Sequence, residues 1–367
     1  MKPYRVLQIT SINIYSGVAS VVMNLYRYMD KSKVQFDFMT WNIEPGNNYQ
    51  SEIEEMGGRI YELPYYKDNL SGFCKRIDQI MKSGDYQIVH AHESVISLLP
   101  LYYARKRHIP YRIAHSHNPT METTIKNKIV ALCRPLFKKY ATNYFACSVE
   151  SGDFLFGVKV DTHVLNNAID TKKFSYHWEI REKIRKQLGL EDSFVVGNVG
   201  RLCLQKNQSF LIDIFYELQK EKYNAKLIIV GEGELREELE GKVNRYNIAD
   251  KVLFLGLRKD IDELYQAMDV FILPSLFEGL GLVLVEAQCS GLPCFMSDTA
   301  NKKVKVSDYI YEMSIKENPK LWAREILSYS FNNNERSKGS EYVKFHGYAL
   351  EDTSKQMLDF YLDRCEA

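Results

Sequence analysis

VFILPSLFEGLGLVLVEA, residues 270–287, decides the fold class. VFIL is a short, wholly apolar run, as expected of a strand buried on both faces. Pro274 and Ser275 end it, and Gly279 and Gly281 lead into an apolar run that carries Glu286. A buried strand, a glycine-bearing exit loop and a helix form the repeating unit of a parallel α/β sheet.

The same unit recurs on both sides of this stretch. In the first half, strands are expected at 5–10, 35–40, 59–63, 87–92, 111–116 and 143–148, with helical periodicity at 18–30 and 72–83. The polar, turn-favouring VLNNAIDTKKF (164–174) interrupts the pattern and reads as an interdomain linker. The alternation then restarts with strands in 194–202, 225–234, 251–260, 270–275 and 292–298, and a helix near 207–221. The expectation is an α/β chain of two doubly wound parallel-sheet (Rossmann-like) domains, 1–167 and 168–347, facing a ligand cleft. A final helix, EDTSKQMLDFYLDR (351–364, within about 348–367), either completes the second domain or crosses back onto the first.

Composition excludes several classes. With 367 residues, 45% hydrophobic and 26% charged, each half can bury its own core, unlike a disordered, collagenous or disulfide-scaffold chain. No run reaches the roughly 18–20 apolar residues that span a bilayer. MKPYRVLQIT turns directly into a strand without an apolar leader, and the seven cysteines lack C-x-x-C spacing. Both point to a cytoplasmic protein with reduced thiols. Net charge is +1, divided as +4 over 1–170 and −3 over 171–367. Residues 101–139 hold nine basic side chains against Glu122 alone, a patch that suits an anionic membrane face or a solvated surface. No nucleic-acid module is present.

In open parallel sheets, ligands sit at the carboxyl ends of strands, so the exit loops carry the chemistry. At 274–286, glycines at a helix start let backbone N–H groups approach an anion, while Glu278 and Glu286 would accept hydrogen bonds from sugar hydroxyls. Gly200-Arg201 and Lys206-Asn207 place two cations after one strand, suited to a diphosphate. Gly231-x-Gly233 lacks the full dinucleotide spacing, and Gly256-Leu257 could offer backbone groups to a planar base. In the first half, Tyr15-Ser16-Gly17 opens a helix. His90/His92 and His115/His117 each point to one face of a strand, either as core histidines or toward a sugar hydroxyl. No cysteine or carboxylate completes a zinc set with them, so no metal is expected.

Together these stretches resemble the family-4 retaining glycosyltransferases of GT-B fold, in their capsular and exopolysaccharide branch. The resemblance rests on FEGLGLVLVE as the E-x7-E motif, NVGRLCLQKN, AKLIIVGEGELREELE and KVLFLGLRKDIDELYQAMDV, and more loosely on GVASVVMNLYRYM, YQIVHAHES, IPYRIAHSHN and VLNNAIDTKKF. It implies a hexosyltransferase using a nucleotide-sugar, UDP-linked, as co-substrate, with no cofactor or metal. The second domain would hold the donor: Arg201 and Lys206 the diphosphate, Gly200, Gly231, Gly233, Leu257, Gly279, Leu280 and Gly281 its backbone cradle. Glu278 would meet the sugar and Glu286 the ribose. His115, in a P-x4-H strand after Pro110, would face the transferred sugar. Gly17 would add an anion contact, with Tyr15, Ser16, His92 and His117 on the acceptor side. The acceptor would be a lipid-linked saccharide met at the inner membrane face through 101–139, LLPLYYA (98–104) adding apolar contact.

The family's first Gly-Gly is Ser16-Gly17 here, its Asn-Gly linker is Asn166-Asn167, and the glycines usual after Asp298 are missing. Two other readings share the shape: a nucleotide-sugar 2-epimerase, which needs no acceptor, and a catalytically silent partner subunit of a transferase.

Overall fold

Every strand pairing in the computed structural model is parallel, and the strands form two separate sheets. The structure describes residues 2–84, 86–117, 124–329 and 333–366. The chain divides into two units, Met1–Ala168 with Leu350–Ala367, and Ile169–Ala349.

The first sheet contains β1 (Tyr4–Ile9), β2 (Val34–Trp41), β3 (Arg59–Leu63), β4 (Ile88–Ala91), β5 (Tyr111–Ser116), β6 (Asn143–Ala146) and β7 (His163–Val164), in the order β3-β2-β1-β4-β5-β6-β7. The second contains β8 (Phe194–Val199), β9 (Ala225–Val230), β10 (Val252–Phe254), β11 (Val270–Leu273), β12 (Cys294–Ser297) and β13 (Ile310–Met313), in the order β10-β9-β8-β11-β12-β13. Each order reverses direction once, between β1 and β4 and between β8 and β11. A crevice opens at such a reversal because the flanking crossovers leave in opposite directions.

Helices cover both faces. β2 is buried at every position, and its single charge, Asp37, accepts from Arg5, from the Tyr86 hydroxyl at 2.7 Å and from the Arg59 amide at 2.9 Å. A buried carboxylate is tolerated only when its oxygens are satisfied in this way. Helix starts are written locally: Ser16 accepts from the Ala19 amide, Asn69 from Gly72 and Ser148 from Ser151, satisfying first-turn N–H groups. Gly189, at φ +64°, closes the helix Trp178–Leu188 in the left-handed region.

The stretch read as the interdomain linker, 164–174, contains the division between the units, after Ala168, and it is packed: Val164 belongs to β7, and Leu165, Asn167, Ala168, Ile169 and Thr171 are buried. Its apolar residues, the pairs Val164-Leu165 and Ala168-Ile169 and the lone Phe174, are set among polar ones, which hides their burial from a composition reading. Two other expectations change. β13 was not anticipated, being a four-residue edge strand with only Ile310 buried. The helix Leu98–Lys106 turns Leu98, Leu101 and Ala104 into the core, so LLPLYYA is chiefly a packing face.

The last helix, Leu350–Cys365, belongs to the first unit and sets Met357 and Tyr361 among Val6, Phe36 and Ile88. Deleting a large buried apolar side chain costs about 2–5 kcal/mol, a large share of the roughly 5–15 kcal/mol that holds a domain together. A chain stopped after Ala349 should therefore lose the first unit's calorimetric transition and keep the second's. An unchanged first transition would show that the helix contributes nothing to it.

Candidate active site

In the second unit, the loops leaving β8 and β11 flank the reversal and are stitched together. The Leu276 amide donates to the Gln205 carbonyl at 2.8 Å, the Gln205 side chain to the Phe277 carbonyl at 3.0 Å, and the Asn207 side chain to the Pro274 carbonyl at 3.1 Å. Asn207 reaches this position at φ +54°, a left-handed conformation that asparagine tolerates. Between the loops Lys206 Nζ lies 2.7 Å from Glu278 Oε1, which also accepts from Ser275 Oγ at 2.6 Å. Their side chains are 17% and 5% exposed, so the pair is mostly withdrawn from water.

The other predicted residues divide by role. Arg201 points outward, 71% exposed, and pairs with Glu234 at 3.1 Å. The Gly200 amide bonds the Val230 carbonyl at 2.9 Å and the Gly231 amide the Gly256 carbonyl at 2.8 Å, so both are spent within the protein. A Cβ at Gly231 would lie 2.1 Å from the Gly200 carbonyl oxygen, and one at Gly233 2.2 Å from that of Leu202. These two glycines let the β8 and β9 exits lie against each other. Leu257 is exposed at the end of the β10 loop, and Leu280 turns its side chain into the core, leaving only its backbone for a ligand.

The amides of Gly279, Leu280 and Gly281 donate to no group among the described residues. They stand at the N-terminus of the helix Leu282–Cys289, where the helix dipole adds positive potential. Asn301, in the stretch that lacks the usual glycines, holds the Gly279 carbonyl at 3.0 Å. Glu286 accepts from the Tyr265 hydroxyl at 3.0 Å. Withdrawal from water pushes its carboxyl up to about 7, against the opposing pull of that hydroxyl and of Lys173. Sequence reasoning missed Tyr265 and Asn301, whose signal lies in three-dimensional neighbours alone.

In the first unit, Ser16 Oγ is committed to its helix cap, Tyr15 is exposed, and a Cβ on Gly17 would meet nothing within 4 Å. The histidines are brought together. His90 Nε2 lies 3.1 Å from His115 Nδ1, and His92 Nδ1 lies 3.0 Å from His117 Nε2. His90 stacks on His92 with centroids 4.1 Å apart, and His115 on His117 at 4.2 Å. Burial drives all four below the usual histidine range, His117 to about 4, so the rings are neutral. Nitrogens of His90, His92 and His115 lie within 4.8 Å of one another, a spacing a small cation could use. Hydrogen bonds already account for both nitrogens of His90 and of His92.

Of the four, His92 and His117 line a cavity of about 130 Å³, together with Glu93, Ser94 and Ser116. His115 lies within the sheet, 1% exposed. Glu93 accepts from the Ser11 amide at 3.2 Å and Thr10 Oγ1 at 3.3 Å, and burial raises its carboxyl. The sequence reading passed over it, although it directly follows His92 at the exit of β4.

The family described as Glycosyl transferases group 1 matches residues 180–345, and Glycosyltransferase Family 4 matches 15–173. EpsF of Bacillus subtilis (strain 168), named as a glycosyltransferase, is 36% identical over 333 residues, covering 88% of this chain and 86% of that one. The chain belongs to glycosyltransferase family 4. A second relative, the UDP-Gal:alpha-D-GlcNAc-diphosphoundecaprenol alpha-1,3-galactosyltransferase of Escherichia coli, is 32% identical over 235 residues, 60% of each chain. Among solved structures, Anabaena HepE in complex with UDP-glucose superposes with a TM-score of 0.81 at 18% identity, over 98% of this chain and 99% of that one. That likeness establishes the GT-B fold, and the protein is a glycosyltransferase of that fold.

For this family-4 chain, the raised Glu286 has a stability signature. A carboxyl whose folded value lies above its unfolded one binds extra protons when folded, so it costs stability as pH rises through about 7. Glu286→Gln should raise the melting temperature at pH 8 and change it little at pH 5. Equal shifts at both pH values would mean that Glu286 titrates normally.

Proposed function

We propose that the protein is a retaining, metal-independent hexosyltransferase, moving a sugar from a UDP-sugar to a hydroxyl of a lipid-linked saccharide in cell-surface glycan synthesis. The observation that carries this reading is the Lys206–Glu278 pair set beside the unspent amides of Gly279, Leu280 and Gly281. In this reading a diphosphate takes those amides and the Lys206 ammonium. Glu278 Oε1, released from Lys206 and still held by Ser275, then accepts from a hydroxyl of the donor sugar. Glu286, with one oxygen fixed by Tyr265, accepts from the ribose, and Arg201 leaves Glu234 to reach the phosphates.

Fixed charges of this kind stabilise a departing diphosphate without reorganising during the reaction. The leaving phosphate itself takes the acceptor proton, so no strong protein base is needed on that face. We assign the first unit's cavity, with His117 and Glu93, to sugar hydroxyls, transferring to His117 the role that the resemblance gives to His115. Support for the nucleotide comes from HepE, solved with UDP-glucose, and support for a lipid-linked acceptor from the E. coli relative, named for a diphosphoundecaprenol substrate.

Ligand that binds only the folded state at about 100 times its Kd adds about 2.7 kcal/mol of stability. A thermal-shift screen should therefore single out UDP over GDP and ADP, and labelled sugar should move only when an acceptor is present. Lys206→Ala and Glu278→Ala should abolish transfer. Lys206→Ala should also lower the melting temperature, because it leaves a mostly buried carboxylate without its cation. Full activity in both variants refutes the site, conversion of UDP-sugar without acceptor indicates the epimerase, and no nucleotide response indicates the silent subunit.

The membrane contact gains a sharper outline. Several basic residues of 101–139 are occupied: Arg107 pairs with Asp78, while Arg105, Arg112 and Arg134 donate to backbone carbonyls. Residues 118–123, including Glu122, lie outside the described residues. On the helix Thr124–Tyr140, Ile125, Ile129, Leu132 and Leu136 form an exposed stripe at helical spacing, 72% and 79% exposed at Ile125 and Leu132. Lys128, Lys138 and Lys139 on the same helix are also exposed. No helix among the described residues is long and apolar enough to cross a membrane. A basic amphipathic helix instead lies along an anionic surface, each charge contributing about 1 kcal/mol. Replacing Lys128, Lys138 and Lys139 with Gln should cut sedimentation with anionic vesicles at low salt, and Leu132→Ser should cut it at any salt. Unchanged sedimentation in both refutes the contact.

A further inference from the structure

The buried histidines of the first unit belong to one hydrogen-bonded chain that passes through the last helix. Tyr361 Oη lies 2.6 Å from His90 Nδ1, and His90 continues to His115. Tyr361 Oη also lies 3.2 Å from the Gln8 side-chain amide, whose other end lies 2.8 Å from His92 Nε2. His92 continues to His117, whose Nδ1 lies 3.3 Å from the Asn167 side chain. Gln8, His90, His92, His115 and Tyr361 are at most 3% exposed, so bulk water does not reach them.

A neutral imidazole carries one proton, so each ring donates at one nitrogen and accepts at the other. Only two orderings then satisfy every link and also give the buried Tyr361 hydroxyl proton an acceptor within the chain; letting the Tyr361 oxygen accept from both Gln8 and His90 would leave that proton unused. If the Gln8 carbonyl faces His92, the His92 proton is on Nε2, His117 donates from Nε2, and His117 Nδ1 is bare. Gln8 then donates to Tyr361, whose hydroxyl donates to His90, and the chain ends in a proton on His115 Nε2. If the Gln8 amide is turned, every ring reverses: His117 Nδ1 carries the proton, and His115 Nε2 is the bare end. Which end of an amide is oxygen follows from the network rather than from its shape.

The open end decides between them. His115 Nε2 is buried and has no partner among the described residues. A buried N–H without an acceptor is rarer in proteins than a buried acceptor without a donor, which selects the second ordering. That ordering turns the Gln8 amide over from the orientation in which its oxygen faces His92 and its nitrogen donates to Tyr361, and leaves the Asn167 oxygen as the acceptor for His117.

We propose that Tyr361, through Gln8 and His92, is a positioning residue that fixes the tautomer of His117, so that His117 presents an Nδ1–H donor at the first unit's cavity. At 3.3 Å the bond to Asn167 is long, and an incoming ligand oxygen can replace it. The assignment of that ligand as a sugar rests on the proposed function; the tautomer does not.

The test is a long-range proton–nitrogen correlation spectrum of protein with isotope-labelled imidazoles, which separates the two tautomers of each of the eight histidines. The His117 signals are identified by their loss in His117→Gln. Wild type should show His117 protonated at Nδ1. Tyr361→Phe, which keeps the ring packing, and Gln8→Met, which keeps the volume, should each give His117 as a mixture of tautomers. Both should lower kcat roughly tenfold, the low end for losing a group that orients a histidine, with the KM for the donor unchanged. Met357→Leu, on the same helix and outside the chain of hydrogen bonds, should leave the spectrum and kcat as in wild type. His117 protonated at Nε2 in wild type, or an unaltered His117 pattern in both Tyr361→Phe and Gln8→Met, overturns the proposal. The predicted spectra with no transferase activity in wild type would refute the proposed function and leave the tautomer assignment intact.

Discussion

A parallel sheet wound in both directions from one starting strand cannot cover the carboxyl ends of its two central strands. That constraint organises both units. In each, the crossovers flanking the reversal depart to opposite sides, and the exposed strand ends must be finished by loops. The loops after β8 and β11 hold Lys206, Glu278 and the unspent amides, and those after β1 and β4 hold Gly17 and Glu93. Chemistry gathers at these edges because the backbone there has free groups and the covering helices are absent.

Free groups alone do not make a site, since an anion site needs its donors held before the ligand arrives. In the second unit, rigidity comes from backbone proximity. Gly231 and Gly233 allow two exit loops to lie closer than any Cβ would permit, and the side chains of Gln205, Asn207 and Asn301 tie neighbouring loops together. The Lys206–Glu278 bond then sets a cation and a carboxylate side by side, each satisfying the other. Such an arrangement is stable unliganded and still polar enough to bind, which a lone buried charge of either sign could not be.

Much of this could be read in the sequence. Apolar runs alternating with helical periodicity located nearly every strand, because strands buried on both faces have no polar residues to blur them. The exit-loop rule also led to Lys206, Glu278, Glu286 and the glycines, whose residue types suit anions and hydroxyls at those points. The misses share one cause. β13 and the docked segment around Leu165 are partly polar, so their burial depends on neighbours far along the chain. Leu280 and Leu101 are apolar at positions where the local pattern does not say which way a side chain turns. Gly231 and Gly233 looked like ligand-facing glycines, and their main constraint is another loop, a distinction that only three-dimensional distances make.

The polar interior of the first unit follows the same logic in a different medium. Four imidazoles in a core would be costly if any were charged or left unbonded. Burial disfavours their charged forms, and they are paired between the exits of β4 and β5, the two pairs being joined through Tyr361 and Gln8. Tyr361 arrives from a helix 271 residues further along the chain than His90, so the cluster is complete only once that helix has docked. Bonded networks rigidify what they touch, and here every ring nitrogen except His115 Nε2 has a partner. The last helix therefore contributes more than apolar cover: its hydroxyl joins the His90–His115 pair, through Gln8, to the His92–His117 pair that opens onto the cavity.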